Sequence, residues 1–229
     1  MDILTHNLAN MNTVGYKTDE AVFRIKDENL QVDGGNDDQP PSATLPIIPL
    51  TTRTDFSQGL LQSTGNPLDL AIEGDGFFSI QTDEGMRYTR NGSFTLGEDG
   101  RLSTQDGHAV MGEGGEITID GTEVEFDGNG NVIVDGQITD KLRIVAITEP
   151  SALAKEGYNL FVLDEERGTE EPIEYANVHQ GFLEGSNVNS VKIMTDLIEV
   201  MRGYESYQKI IRTLDENASK LITGVGNPG

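Results

Sequence analysis

Few stretches of this 229-residue chain carry the residue types and spacing that chemistry requires. Asp127–Asn131 reads DGNGN, the opening of a calcium loop in which carboxylates and carbonyls would wrap a hard cation. The sixth position of that loop is Val132 instead of glycine, and the twelfth is Ile138 instead of a bidentate glutamate. The ligand set therefore fails, and a hairpin turn is expected in its place. Gly112–Gly115 reads GEGG, but it lacks phosphate-binding spacing and a following lysine. His6, His108 and His179 are far apart and fit no metal spacing. Glu165-Glu166 and Glu170-Glu171 flank Gly168 and read as a solvated turn, not as an acid–base pair. No nucleophile elbow is present. The lack of cysteine removes disulfides, thiolate-bound metals and thiol nucleophiles. No catalytic residue, metal or cofactor is expected, and the chain does not read as an enzyme.

The remaining polar chemistry lies near the start. Asn7, Asn10 and Asn12 sit in NLANMNTVGYK (Asn7–Lys17), close to an expected helix end before Gly15. Asparagine amides can satisfy terminal carbonyls, and asparagine tolerates left-handed geometry. Two uses fit these side chains: a helix C-cap, or polar contacts to adjoining subunits.

Two elements must position this segment. Met1, Leu4, Leu8 and Met11 follow a 3,4 spacing, which predicts a helical stub of about 15 Å. Ile193, Leu197, Val200, Tyr204, Tyr207, Ile211, Leu214, Ala218, Leu221 and Val225 continue the same alternation. They predict a long helix over 189–223, spanning roughly 50 Å, with a coiled-coil face. Asn187, Asn189 or Ser190 could cap its start, and Gly224, Gly226 and Pro228 supply a stop. Gly203 within it costs about 1 kcal/mol relative to alanine, and it either admits a close backbone or is tolerated. The two seams differ in length. The expectation is that helical residues preceding Met1 are missing from this sequence, and that other chains cover the rest of the stripe.

Between the ends, residues 31–50 read as a linker rich in proline and glycine. Asp-Gly pairs then begin at Asp75, Asp99, Asp106, Asp120, Asp127 and Asp135, joined by Asn91-Gly92 and Asn129-Gly130. Short apolar runs lie among and after them: Phe77–Ile80, Ile117–Ile119, Val124–Phe126, Val132–Val134, Leu142–Ile147 and Asn159–Leu163. The expected fold is α+β: a mainly antiparallel, hairpin-rich barrel or folded sheet, with long terminal helices forming a coiled-coil-like stalk. Residues 1–30 and 188–229 would form a discontinuous helical core with a truncated N-terminal helix, and 51–187 the β domain. The charge of −23 is unevenly placed. Residues 191–229 carry five basic and five acidic side chains and residues 1–30 three and five, leaving about −21 on residues 31–190. Near-neutral ends can approach one another, while the acidic middle favours solvent and disfavours nucleic acid and anionic membrane. No run of about 18 apolar residues predicts a membrane span. No basic and apolar leader predicts a cleaved secretory signal.

Several stretches resemble the flagellar rod and hook proteins. HNLANMNTVGYK (His6–Lys17) is similar to the family's N-terminal signature. Gly59–Ile80 (GLLQSTGNPLDLAIEGDGFFSI) and Tyr88–Leu102 (YTRNGSFTLGEDGRL) are similar to its core-domain motifs. Phe182–Glu205 and Leu214–Leu221 resemble its C-terminal helix. His108–Ile119 and Leu183–Val188 look more like a proximal than a distal rod member. The resemblance implies a structural subunit of the basal-body rod, assembled helically through its terminal helices around an export channel, transmitting torque. It also implies export without a cleaved signal through the flagellar export machinery, other rod subunits as partners, and a rod position spanning the periplasm. The residues expected to carry assembly are Leu4, Asn7, Leu8, Asn10, Met11, Asn12, Gly15 and Tyr16, with the seam from Ile193 to Leu221. A distal rod or hook-type subunit, or a dimeric acidic protein-binding β module, are the alternatives.

Overall fold

The computed structural model describes residues 1–23, 50–157, 159–173 and 175–225. Strands dominate, and their pairings are antiparallel. The largest sheet has ten strands. Its main path runs Leu153–Glu156, Leu160–Leu163, Gly85–Thr89, Phe77–Thr82, Ala109–Gly112, Leu102–Thr104, Phe94–Leu96. Phe77–Thr82 lies in the middle of this path, and it is covered on both faces. Phe78 and Ile80 enter one core cluster with Leu70, Phe94, Leu102 and Val110. Phe77 enters a second with Tyr88, Val145, Leu153 and Phe161. Successive strand residues point to opposite faces, so an apolar run such as FFSI suits a strand buried on both sides. Burying each large apolar side chain contributes about 1.5–3 kcal/mol.

The turn chemistry follows the sequence. Asp135 and Gly136, at φ +49° and +80°, join Asn131–Val134 to Gln137–Lys141. These left-handed conformations give the chain the twist that a tight hairpin needs. DGNGN folds onto itself: Asp127 Oδ1 accepts from the N–H of Asn129 and of Asn131, both at 2.9 Å. Its Oδ2 accepts from Asn131 Nδ2 at 2.7 Å. Ile117–Ile119 does not form a continuous strand. Ile117 donates its N–H to Val110 O, while its own carbonyl accepts from Leu102 N–H. The segment thus bonds to two neighbours in turn, and a single bridge joins Thr118 to Arg101.

The late strands return beside the early ones. Asn177–Gln180 pairs with Leu70–Glu73, and Phe182–Glu184 pairs with Leu61–Ser63. There the two ends of the chain meet. Gly15 N–H donates to Glu184 O at 2.7 Å, and Asn187 N–H donates to Tyr16 O at 3.4 Å.

The helices correct the expected stalk. Helix α1 covers only Asp2–Ala9, whereas α2 covers Ser190–Val225, 36 residues and about 54 Å. Long terminal helices wound into a coiled coil are therefore not the architecture. Knobs-into-holes packing needs facing seams of comparable length, and α1 supplies about two turns before the chain turns at Asn10. The helices touch, but most of α2 extends as a single helix. Beyond α1, Asp19–Phe23 forms a strand paired with Leu50–Thr54. The 31–50 linker lies outside the described residues apart from Leu50.

Candidate assembly site

The turn after α1 is held by side chains that pair with backbone. Asn7 Nδ2 donates to Asp19 O at 2.7 Å, and its Oδ1 accepts from Asp19 N–H at 3.0 Å. One amide thus serves Asp19 as a neighbouring strand would. The Tyr16 hydroxyl also donates to Asn7 Oδ1 at 2.9 Å and lies 3.0 Å from His6 Nδ1. Asn10 Nδ2 donates to His6 O at 2.9 Å, which satisfies a carbonyl at the helix end. Asn12 is exposed. Gly15 is buried at φ +69°, and a Cβ there would meet Asn91 N at 2.5 Å. Only glycine fits both the conformation and the contact.

Tyr16 is 1% exposed, and the Lys155 ammonium sits 4.2 Å from its ring centroid. Lys155 also pairs with Asp19 at 2.8 Å. Burial, then the nearby Asp19 charge, pushes the Tyr16 hydroxyl up to about 12.

Next to Tyr16 lies a buried charge node. Lys17 Nζ contacts Glu184 Oε1 at 2.7 Å and donates to Ser57 O at 2.7 Å and Phe56 O at 3.3 Å. Glu184 Oε1 also accepts from Gly59 N–H at 2.8 Å, while its Oε2 lies 3.4 Å from Arg90 Nη1. Arg90 Nη2 donates to Gly74 O at 2.7 Å, and its guanidinium lies over the Phe77 ring. Burial pulls the Lys17 ammonium below its ordinary value, against the opposing pull of Glu184. Asn187 completes the junction. Its Oδ1 accepts from the Thr18 N–H and hydroxyl, both at 2.8 Å, and its Nδ2 donates to Asp55 O at 2.8 Å. Asn189 caps α2, its Oδ1 accepting from Lys192 N–H at 3.0 Å.

The seam residues divide along α2. Among its described side chains Ile193 alone is buried, and Leu197 is half-buried. Val200, Tyr204, Tyr207, Ile211 and Leu214 are exposed, Tyr207 at 70%. Ala218 and Leu221 lie on α2, with side chains outside the described set. On the shorter helix Leu4 and Leu8 are half-buried, as is Met11 just beyond it. The N-terminal residues and Ile193 thus gather at the root, and the rest of the seam extends away from it.

Sequence reasoning missed two sets of residues. The first is Lys17, Arg90 and Glu184, which lie within the quoted stretches as polar residues among glycine and apolar neighbours; Asn187, a candidate cap for α2, instead bridges Thr18 and Asp55. The second is Met194, Ile198, Met201 and Ile210, all about half-exposed. They sit beside seam positions and widen the stripe, a signal visible in a broader helical period.

Three family models match the chain. "Flagella basal body rod protein" matches residues 1–17, "Flagellar hook protein FlgE/F/G D1 domain" residues 71–138, and "Flagellar basal body rod FlgEFG protein C-terminal" residues 179–223. Among curated relatives, the flagellar basal-body rod protein FlgF of Caulobacter vibrioides is 34% identical, covering 99% of this chain and 91% of that protein. FlgG of Bacillus subtilis is 36% identical, over 97% and 92%. FlgF of Escherichia coli is 32% identical, over 95% and 89%. Lys17, Glu184 and the α2 seam through Leu221 fall inside the matched terminal segments, and Arg90 inside the matched central one.

Proposed function

Since the chain belongs to the flagellar basal-body rod protein family, we propose that it builds the rod through the uncovered stripe of α2. It is a structural subunit of the basal-body rod, of FlgF-like type, and its family is one of structural proteins. The observation that carries the assembly reading is the run of exposed apolar residues from Met194 to Leu214 on a helix about 54 Å long. An apolar stripe of that length gains by being covered, and its width suits more than one neighbouring helix. Contacts between copies that do not close into a ring generate a helical tube. The α1 segment, with Asn12 exposed beside the root, would take part in the same packing. Other rod subunits are the partners. Passage through the flagellar export machinery without a cleaved signal, the enclosed channel and torque transmission rest on the family resemblance.

Replacing Leu197 and Ile211 with Asp tests the reading. Ile211 is exposed and Leu197 half-buried, so the β domain should keep its melting transition. Rod formation and motility should be lost. Normal motility would sink the proposal, and a well-defined dimer in light scattering would favour a binding module over open-ended association.

A further inference from the structure

Glu184 stands where three remote parts of the chain meet. It is fully buried and ends the last strand before α2. Its main-chain oxygen accepts from Gly15 N–H, and its carboxylate takes Lys17 Nζ, both at 2.7 Å. Its remaining partners, Gly59 N–H and Arg90, belong to the β domain. The N-terminal segment and the root of α2 therefore share one anion.

We propose that Glu184 is a positioning residue that makes docking of the two chain ends cooperative, so that neither end stays seated on the β domain without the other. Each half-docked state breaks the Lys17–Glu184 pair and leaves a buried charge with weaker partners. If the N-terminal segment leaves, Glu184 keeps only Gly59 N–H and the longer contact to Arg90. If the α2 root leaves, Lys17, itself 1% exposed, loses its ion pair and retains the carbonyls of Phe56 and Ser57, with the Asp55 charge as its remaining attraction. A buried charge deprived of its partner is strongly disfavoured. Asn187 adds to the coupling because it bonds Thr18 on one side and Asp55 and Ser57 on the other. The inference rests on the fold alone and stands apart from the assembly reading.

Amide hydrogen exchange on the full chain tests it, with Lys17→Met and Glu184→Gln. Methionine keeps an apolar stem in place of lysine and removes the charge. The decisive reporter is Gly185 N–H, whose acceptor, Leu60 O, belongs to the β domain and not to the N-terminal segment. In Lys17→Met its exchange should rise by at least about tenfold, while Ile80 and Val110 in the central sheet keep their protection. In Glu184→Gln the Asp55 N–H, bonded to Thr18 O, should loosen in the same way. An unmoved Gly185 in Lys17→Met overturns the proposal, even if the N-terminal amides loosen. So does equal loss at Ile80 and Val110 in both variants, because the node would then hold the β domain itself.

Discussion

At the turn after α1, three asparagines of one short stretch have three different roles. Asn7 replaces a strand neighbour for Asp19, Asn10 caps the helix, and Asn12 faces solvent. Replacing Asn7 with Ala leaves Asp19 N–H without its acceptor and Asp19 O without the amide donor, and should cost about 1–3 kcal/mol in denaturant unfolding. Asn12→Ala should stay within about 0.5 kcal/mol. Tyr16 gives a pH signature. Its ordinary value is 10.0 and the folded protein raises it to about 12, so the unfolded chain ionises first. The stability it contributes is complete below pH 10 and is lost as pH climbs towards 12. Tyr16→Phe should remove one late step from a phenolate absorbance titration and flatten the alkaline limb of the stability curve. The helix end was legible close to Asn12, before Gly15, with a cap and contacts to adjoining subunits both open; that Asn10 makes the cap is seen only in the structure. The Lys17–Glu184–Arg90 node was not legible. Charged side chains are usually exposed, and a sequence gives no pairing between residues so far apart.

Helix α2 shows how far periodicity reaches and where it stops. The 4,3 spacing marked its length and its apolar face, but spacing identifies a face and never its partner. The expected paired stalk was wrong for that reason: the short α1 covers only the root of the long helix. The same limit applied to the strands. Asp135-Gly136 announced its own hairpin, whereas the return of residues 177–184 beside 61–73 joins segments that no local signal connects. Asn189→Ala should lower helix stability by about 1 kcal/mol through loss of the N-cap, seen as reduced far-ultraviolet ellipticity. A Cβ added at Gly203 would meet nothing within 4 Å beyond the helix's own backbone, so Gly203→Ala should stabilise α2 in the isolated subunit by up to about 1 kcal/mol. If the same variant assembles poorly, the missing side chain serves a close approach by another subunit.

Over the whole molecule, the placement of charge favours association by the ends. Lys17 and Arg90 are committed to Glu184, Arg87 to Glu84 and Glu156, Arg101 to Asp99 and Glu116, Arg143 to Glu170, and Lys155 to Asp19. The excess of carboxylates is left on the β domain, where it repels other copies. Raising ionic strength shortens the screening length to about 10 Å at 0.1 M. Self-association measured by light scattering should therefore increase with salt; a decrease would show that ion pairs, not the apolar stripe, hold copies together. The meeting of Gly15 with Glu184 has a further effect. A chain without cysteine has no disulfide, yet neighbours that grip both α1 and α2 would fasten its ends and turn the intervening stretch of about 170 residues into a tethered ring. A ring has fewer unfolded arrangements than a free chain, a difference on the order of a few kcal/mol. A subunit inside a filament should thus melt at a higher temperature than a free one, even where its β domain gains no new contact.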